Sequence, residues 1–200
     1  MALQSSVGQG FRDAVAQSQS VFRIAMQAMA RPGHILDLTA GLNPPAPLNP
    51  TSAALLLTLC DFETTVWFDA SLAAAPGVAA FVRFYTGSRL IEAPGDAAYA
   101  VVSEPQHMLP LACFAQGTAE YPDRSATLIL QVAALKTAGW KLEGPGIQAH
   151  RFFSASPLSA DFVLQARTNR GLFPRGADIF FTTDGALAAL PRSTRLTETV

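Results

Sequence analysis

The chain has 200 residues, of which 50% are hydrophobic and only 14% are charged, and its formal net charge is −1. This balance gives the chain as a whole no attraction to nucleic acid or anionic lipid, and its length allows a core without a disulfide or metal. The N-terminus lacks a signal peptide's basic start and apolar segment, and no apolar run is long enough to span a membrane. We therefore expect a cytoplasmic protein whose excess apolar surface is covered by its own fold or by a partner.

An amphipathic helix is the first predicted element and covers residues 11–29. Its large apolar residues repeat with the helical period, which predicts that this stripe packs against the body of the protein. Arg31-Pro32-Gly33 should end the helix, because proline disfavours helical angles at the residue before it. A short strand at 34–38 and a proline-rich connector at 43–47 follow. The stripe comprises Phe11, Val15, Phe22, Met26 and Met29.

Helices and strands alternate through the rest of the chain. Gly87 is expected to close the second of these helices, and Ser156 to cap the last one with Pro157 in its first turn. This alternation predicts an α/β fold, a single domain over residues 1–200 in which helices cover both faces of a mixed sheet in three layers. The predicted helices are 50–61, 76–85, 105–116 and 156–169, and the strands are 64–69, 97–103, 125–132, 140–142, 177–183 and 185–190.

The usual catalytic signatures are absent from the sequence. It contains no phosphate-binding loop with a lysine, no dinucleotide-binding glycine motif and no nucleophile elbow. His34, His107 and His150 lie far apart, with no spacing typical of a metal site. Cys60 and Cys113 each stand in an apolar run, which predicts two buried thiols in a reducing compartment. We expect no metal site.

The scarcity of lysine bears on whether the chain could be a pyridoxal-phosphate enzyme. Only Lys136 and Lys141 are present, in the polar segment around Trp140 that follows the strand at 125–132. Solvated lysines of a loop are poor candidates for the internal Schiff base that a pyridoxal-phosphate enzyme requires. We therefore expect no cofactor.

Two segments are candidates for binding. Gly144 and Gly146 form a turn whose backbone could approach a ligand or partner closely, although a sharp strand-end turn would also explain them. Arg175, Arg192 and Arg195 belong to an arginine-rich stretch, and guanidinium groups suit phosphate and carboxylate. Arginines next to proline and glycine can equally anchor turns. We predict that Arg175 and Arg192 lie close together and serve an anion or a partner's acid group.

Several motifs, taken in order, resemble those of the PhnH family, and they span nearly the whole chain. Each one is weak alone, but their order and spacing make the resemblance specific. They are Gly10-Phe11-Arg12-Asp13, Ala30-Arg31-Pro32-Gly33, Pro44-Pro45-Ala46-Pro47, Leu142-Glu143-Gly144-Pro145-Gly146-Ile147, Leu172-Phe173-Pro174-Arg175-Gly176-Ala177-Asp178 and Leu190-Pro191-Arg192-Ser193-Thr194-Arg195.

The resemblance implies a role in bacterial phosphonate breakdown by the carbon–phosphorus lyase system. In that system PhnH, with PhnG, PhnI and PhnL, supports transfer of ribose triphosphate from ATP to an alkylphosphonate, which releases adenine. The resemblance also implies a homodimer when the protein is alone, a larger core with PhnG, PhnI and PhnJ, and a fold like that of type I pyridoxal-phosphate transferases without the cofactor. No catalytic residue of the family carries over to a position of this chain.

Three functional hypotheses stay open at this point. The first is an accessory subunit that works within a multi-enzyme complex, which the missing catalytic constellations and the low charge content favour. The second is a free-standing enzyme that binds nucleotide or phosphonate through the Gly144/Gly146 turn and the Arg175/Arg192 region. The third is a degenerate pyridoxal-phosphate binder.

Overall fold

The computed structural model describes residues 7–198, which form two β-sheets and five α-helices. Single 3₁₀ turns occupy 94–96, 105–107, 111–113 and 122–124. The helices are α1 (Ala14–Ala30), α2 (Pro50–Leu59), α3 (Ala70–Ala73), α4 (Pro76–Thr86) and α5 (Phe162–Gly171). The strands are β1 (Leu36–Asp37), β2 (Thr65–Phe68), β3 (Arg89–Ile91), β4 (Tyr99–Val102), β5 (Thr127–Gln131), β6 (Ala134–Glu143), β7 (Arg151–Ser156), β8 (Asp178–Thr182), β9 (Ala186–Leu190) and β10 (Arg195–Thr197).

The larger sheet is mixed and has the strand order β1-β9-β8-β5-β4-β2-β3. Its five strands from β8 to β3 run parallel, whereas β9 returns from β8 as an antiparallel hairpin and β1 pairs antiparallel with β9. The smaller sheet is antiparallel, with the order β10-β6-β7. The predicted α/β class and mixed sheet are therefore confirmed, as is the hairpin at the end of the chain.

Each face of the larger sheet carries its own hydrophobic core. Alternate residues of the central strands point to opposite faces, so Ile129 and Phe180 join one core while Leu128 and Phe181 join the other. Helices α1, α2 and α4 cover the first face. The second face is covered by α5 together with the smaller sheet, so this layer is only partly helical. Burial on both faces explains why these strands are almost continuously apolar.

The structure contradicts the predicted packing of α1. Val15, Phe22 and Met26 are 70%, 49% and 51% exposed. The face that packs against the core, and against α2, is lined by small residues instead, namely Val21, Ala25 and Ala28. Small side chains allow two helices to approach closely, and α2 is itself buried from residue 51 to residue 56. Phe11 and Met29 are half-buried and do contact this core.

Two predicted helices are wrong in whole or in part. The segment 105–116 contains only the 3₁₀ turns Pro105–His107 and Leu111–Cys113, because Pro110 falls between them and lacks the N–H that a continuous helix needs. The last helix begins after Asp161, and Ser156 ends strand β7 instead of capping a helix. By contrast, Gly87 closes α4 in the left-handed conformation, as predicted.

The cysteines and lysines also differ from expectation. Cys60 is buried, and desolvation raises the pKa of its thiol to about 12, but Cys113 is exposed. Lys136 and Lys141 lie on strand β6, which extends from Ala134 to Glu143 and replaces the predicted polar loop. Across residues 7–198, no helix combines the length and the hydropathy that crossing a membrane requires.

Candidate functional site

The carboxyl ends of the parallel strands are the first place to search for a ligand site. The chain leaves β2 towards the sheet edge at β3 and then returns to β4 and β5 on the other side, so the connections reverse between β2 and β4. Open α/β sheets bind ligands in the crevice at such a reversal. Trp67, Asp69, Glu104, His107 and Met108 line this crevice.

The carboxylate of Asp69, in this crevice, accepts hydrogen bonds that hold the backbone together. It accepts the backbone N–H of Leu72, at 3.1 Å, and those of Ser103 and Glu104, at 2.6 and 3.0 Å. It therefore caps α3 and joins the ends of β2 and β4. His107 and Glu104 lie 4.0 Å apart and are well exposed. Within the part of the chain that the structure describes, no three His, Cys, Asp or Glu residues are grouped closely enough to hold a metal ion.

The Gly144/Gly146 turn packs against the chain rather than opening a cleft. Gly144 and Gly146 adopt φ values of 135° and 80°, which side-chain-bearing residues rarely adopt. A Cβ added to Gly146 would overlap the carbonyl of Ala30, and one added to Gly144 would lie 3.2 Å from the carbonyl oxygen of Ser193. These glycines therefore let the turn fit closely between the end of α1 and the segment before β10.

Arg192 is held by an acid of the same chain. Its Nε lies 3.1 Å from Oδ1 of Asp178 and its Nη2 lies 2.5 Å from Oδ2, and both side chains are mostly buried. Nη1 donates to the carbonyl oxygens of Pro122 and Pro174, at 2.7 and 3.3 Å. This guanidinium thus joins β8 to two loops, which is the turn-anchoring alternative considered for it.

The other two predicted arginines are more available. Arg175 follows Pro174 directly and is exposed, and its guanidinium has no hydrogen-bond or ion-pair partner in residues 7–198. The Arg195 side chain is 66% exposed and lies 3.5 Å from Glu143. The hydrogen bond and charge of Lys141, together with the charge of Arg195, lower the pKa of the Glu143 carboxyl. The five predicted residues therefore divide into two groups, Gly144, Gly146 and Arg195 at the turn, and Arg175 and Arg192 near Pro174.

The structure also brings together three basic residues that the sequence did not indicate as a binding group. Arg31 and His34 belong to the turn after α1, which an N–H···O bond from His34 to Arg31 closes at 3.1 Å. Arg151 begins β7, and its Cδ would lie 3.2 Å from a Cβ placed on Gly33. Desolvation, followed by the positive charges of Arg151 and Arg31, lowers the pKa of His34. More than 110 residues separate the two segments, so only the fold could reveal this group.

Comparison with known proteins identifies the family. The model of the bacterial phosphonate metabolism protein (PhnH) matches residues 9–197 of the chain. The chain belongs to the PhnH family. It is 38% identical over 199 residues to the alpha-D-ribose 1-methylphosphonate 5-triphosphate synthase subunit PhnH of Rhizobium meliloti (strain 1021), an alignment that covers 98% of both chains.

The PhnH motifs mostly fall where distant segments meet. Asp13 caps α1, and the N–H of Gly10 donates to the hydroxyl of Tyr85 at 3.0 Å. The turn at 144–146 lies against both Ala30 and Ser193, and so joins three of the motifs. Arg192 joins the last motif to the one that contains Pro174 and Asp178. The residues that carried the resemblance are therefore largely residues that hold the fold.

Proposed function

We propose that this chain is an accessory subunit of the carbon–phosphorus lyase system. In this role it supports the formation of α-D-ribose 1-methylphosphonate 5-triphosphate, in which ribose triphosphate passes from ATP to methylphosphonate and adenine leaves. The observation that carries the proposal is the 38% identity, over 98% of both chains, to a protein named as a subunit of that synthase. Phosphonate breakdown that uses ATP agrees with the predicted cytoplasmic location.

The chemistry of the crevice supports an accessory role. Its one central carboxylate, Asp69, already accepts hydrogen bonds from three backbone N–H groups. Glu104 and His107 beside it are exposed to solvent, and among residues 7–198 they have no third partner that would orient them as a nucleophile and base require. Other subunits would then supply the groups that react. The likeness to a type I pyridoxal-phosphate transferase fold without its cofactor stays a prediction.

The exposed stripe of α1 supports burial against another protein chain. Val15, Phe22 and Met26 present a stripe of apolar side chains to solvent, and contiguous exposed apolar patches commonly mark interfaces. A second copy of the chain would cover the stripe in a two-fold homodimer when the protein is alone. PhnG, PhnI, PhnJ or PhnL would replace that copy in the complex.

A free-standing enzyme that binds nucleotide or phosphonate at the Gly144/Gly146 turn and the Arg175/Arg192 region is the alternative. Arg175 favours it, because this guanidinium is exposed and has no described partner. Arg192 weighs against it, since four acceptors on Asp178, Pro122 and Pro174 already surround its guanidinium. Turnover by the isolated chain would establish this alternative.

Deletion of the gene from its own bacterium tests the proposed role. The deletion strain should fail to grow with methylphosphonate as the sole phosphorus source and should grow normally on inorganic phosphate. A plasmid copy should restore growth on methylphosphonate. Wild-type growth of the deletion strain on methylphosphonate would show that the proposal is wrong.

Light scattering of the purified chain tests the homodimer separately. We expect a mass near 42 kDa, twice the 21.2 kDa of one chain. Phe22→Asp places a charge in the apolar stripe and should give a folded monomer, while Arg23→Gln, a neighbouring exposed residue, should stay dimeric. A wild-type monomer, or a dimer that Phe22→Asp leaves intact, would contradict the proposed surface.

A further inference from the structure

The basic residues Arg31, His34 and Arg151 form one group at the end of α1, which we call the basic cluster. Arg31 and His34 are held by the turn that buries Pro32 and Gly33. Arg151 approaches them across Gly33, where the missing side chain leaves room for its aliphatic stem. Arg31 is exposed and the other two are half-exposed, so a small molecule can reach the cluster.

In the part of the chain that the structure describes, no carboxylate pairs with an arginine of the basic cluster. Arg31 and Arg151 have no Asp or Glu oxygen within 4.0 Å among residues 7–198. Glu143 is the acid next to the β6 residue that pairs with Arg151, because Arg151 lies opposite Leu142 in the β6–β7 pairing. Directly opposed residues share a face of the sheet, so Glu143 projects from the other face, where it binds Lys141 and Arg195. Among residues 7–198, Arg31 and Arg151 therefore lack the counter-charge that Asp178 gives Arg192.

The end of α1 does not supply that counter-charge either. The carbonyl groups at a helix C-terminus carry partial negative charge, which could satisfy the arginines. Here the backbone N–H of Arg31 bonds the carbonyls of Gln27 and Ala28. Gly146 lies against the carbonyl of Ala30. The helix end is thus already covered by backbone.

We infer that Arg31, His34 and Arg151 bind a phosphoryl oxyanion, a phosphate or phosphonate group. A guanidinium pair matches the spread of charge over phosphoryl oxygens and can bond them in a bidentate manner. His34 belongs to the same turn as Arg31 and adds a further N–H donor. The inference does not depend on the proposed function, because an anion could bind here in a protein with any role.

Isothermal titration of the purified chain with inorganic triphosphate and, separately, with methylphosphonate tests this site. We expect binding of at least one anion, with affinity reduced at least tenfold by Arg31→Gln and by Arg151→Gln. Tighter binding of triphosphate would assign the site to a polyphosphate, and tighter binding of methylphosphonate would assign it to the phosphonate. In either case, bound anion should raise the pKa of His34, which the NMR titration of its ring protons reports.

Two control variants separate this site from a general effect of charge. Arg23→Gln removes the same charge from an exposed position on α1 and should leave the affinity unchanged. Arg175→Gln removes the exposed arginine that the sequence singled out and should also have no effect. Circular dichroism melting confirms that each variant is folded. The inference is wrong if the wild-type chain binds neither anion, if Arg151→Gln binds as tightly as wild type, or if Arg175→Gln is the variant that loses binding.

Discussion

Two groups of arginines in this protein have opposite surroundings. Arg192 was prominent in the sequence, yet its guanidinium is mostly buried and bonded to Asp178 and to two carbonyl oxygens. Arg31 and Arg151 were not predicted to form a pair, yet the fold places both near His34, with no acid within 4.0 Å of either among residues 7–198. The difference teaches that an arginine-rich motif is not by itself a binding site. An arginine is available to a ligand only when the chain itself does not supply its counter-charge.

Removing Asp178 should have the largest effect on stability. Asp178→Ala leaves the Arg192 guanidinium mostly buried without its acid, which should lower the free energy of unfolding by about 3 kcal/mol. Glu63→Ala, at an exposed acid that forms no ion pair with residues 7–198, should change it by less than about 0.5 kcal/mol. Urea unfolding followed by circular dichroism measures both.

A double variant sharpens the same point. In Asp178→Ala/Arg192→Met the unpaired charge is gone, and part of the lost stability should return. A single Asp178→Ala variant as stable as wild type would mean that Arg192 is not held as described and is free for a ligand.

The glycine turn next to the basic cluster should be the next most sensitive position. Gly146→Ala both strains a positive φ and drives a methyl group into the Ala30 carbonyl, so we expect a loss of about 2 kcal/mol. Gly41→Ala is the matched control, since its φ is 65° but no atom of residues 7–198 lies within 4 Å of the added methyl. It should lose only about 1 kcal/mol. Equal losses in thermal unfolding would show that the turn is not closely packed.

The α1 stripe should respond weakly in the same measurement. Phe22→Ala removes a side chain that is 49% exposed, so the isolated monomer should lose less than about 1 kcal/mol. Leu55→Ala, at a fully buried position of α2, should lose about 2–5 kcal/mol. Measuring at protein concentrations low enough to dissociate a dimer gives the loss of unfolding free energy of the monomer alone. A Phe22→Ala loss as large as that of Leu55→Ala would place the stripe in the core after all.

The smallest expected effect concerns protonation of His34. Desolvation, followed by the positive charges of Arg151 and Arg31, holds the pKa of the His34 imidazole below the ordinary value near 6.5. The unfolded chain then binds a proton more readily than the folded one. Stability therefore decreases as the pH falls through the ordinary pKa, and is regained above it.

Replacing Arg151 tests this assignment by NMR. Arg151→Gln should raise the pKa of His34 towards the ordinary value and flatten the associated dependence of stability on pH. His34→Gln identifies the resonance. An unchanged His34 pKa in Arg151→Gln would mean that the two residues are not close enough to interact. It would contradict the grouping of Arg31, His34 and Arg151 in one basic cluster.

Much of the sheet was predictable, because its strands are short apolar runs bounded by turns. The strand at 125–132 and the hairpin at 177–190 appear close to their predicted positions as β5, β8 and β9. The face of α1 was not predictable in this way. Its large apolar residues form the more regular stripe, but the face of α1 that is buried carries Val21, Ala25 and Ala28. Periodicity reports an apolar face without saying whether this chain or another one covers it.

The candidate site was predictable only in pieces. The glycine turn at 144–146 follows from residue type, because positive φ values favour glycine. The pairing of Arg192 with Asp178 spans 14 residues and two elements, and nothing local requires it. Strand β7, which places Arg151 opposite Leu142, was not predicted from the sequence after the Gly144–Gly146 turn. Without that strand the basic cluster cannot be assembled.

Adenine release tests the central claim most directly. The purified chain, PhnG, PhnI and PhnL are mixed with ATP and methylphosphonate, and each component is omitted in turn. The account predicts no adenine from this chain alone, release from the complete mixture, and loss of that release when this chain is omitted. Adenine released by the chain alone, or undiminished release without it, would contradict the account.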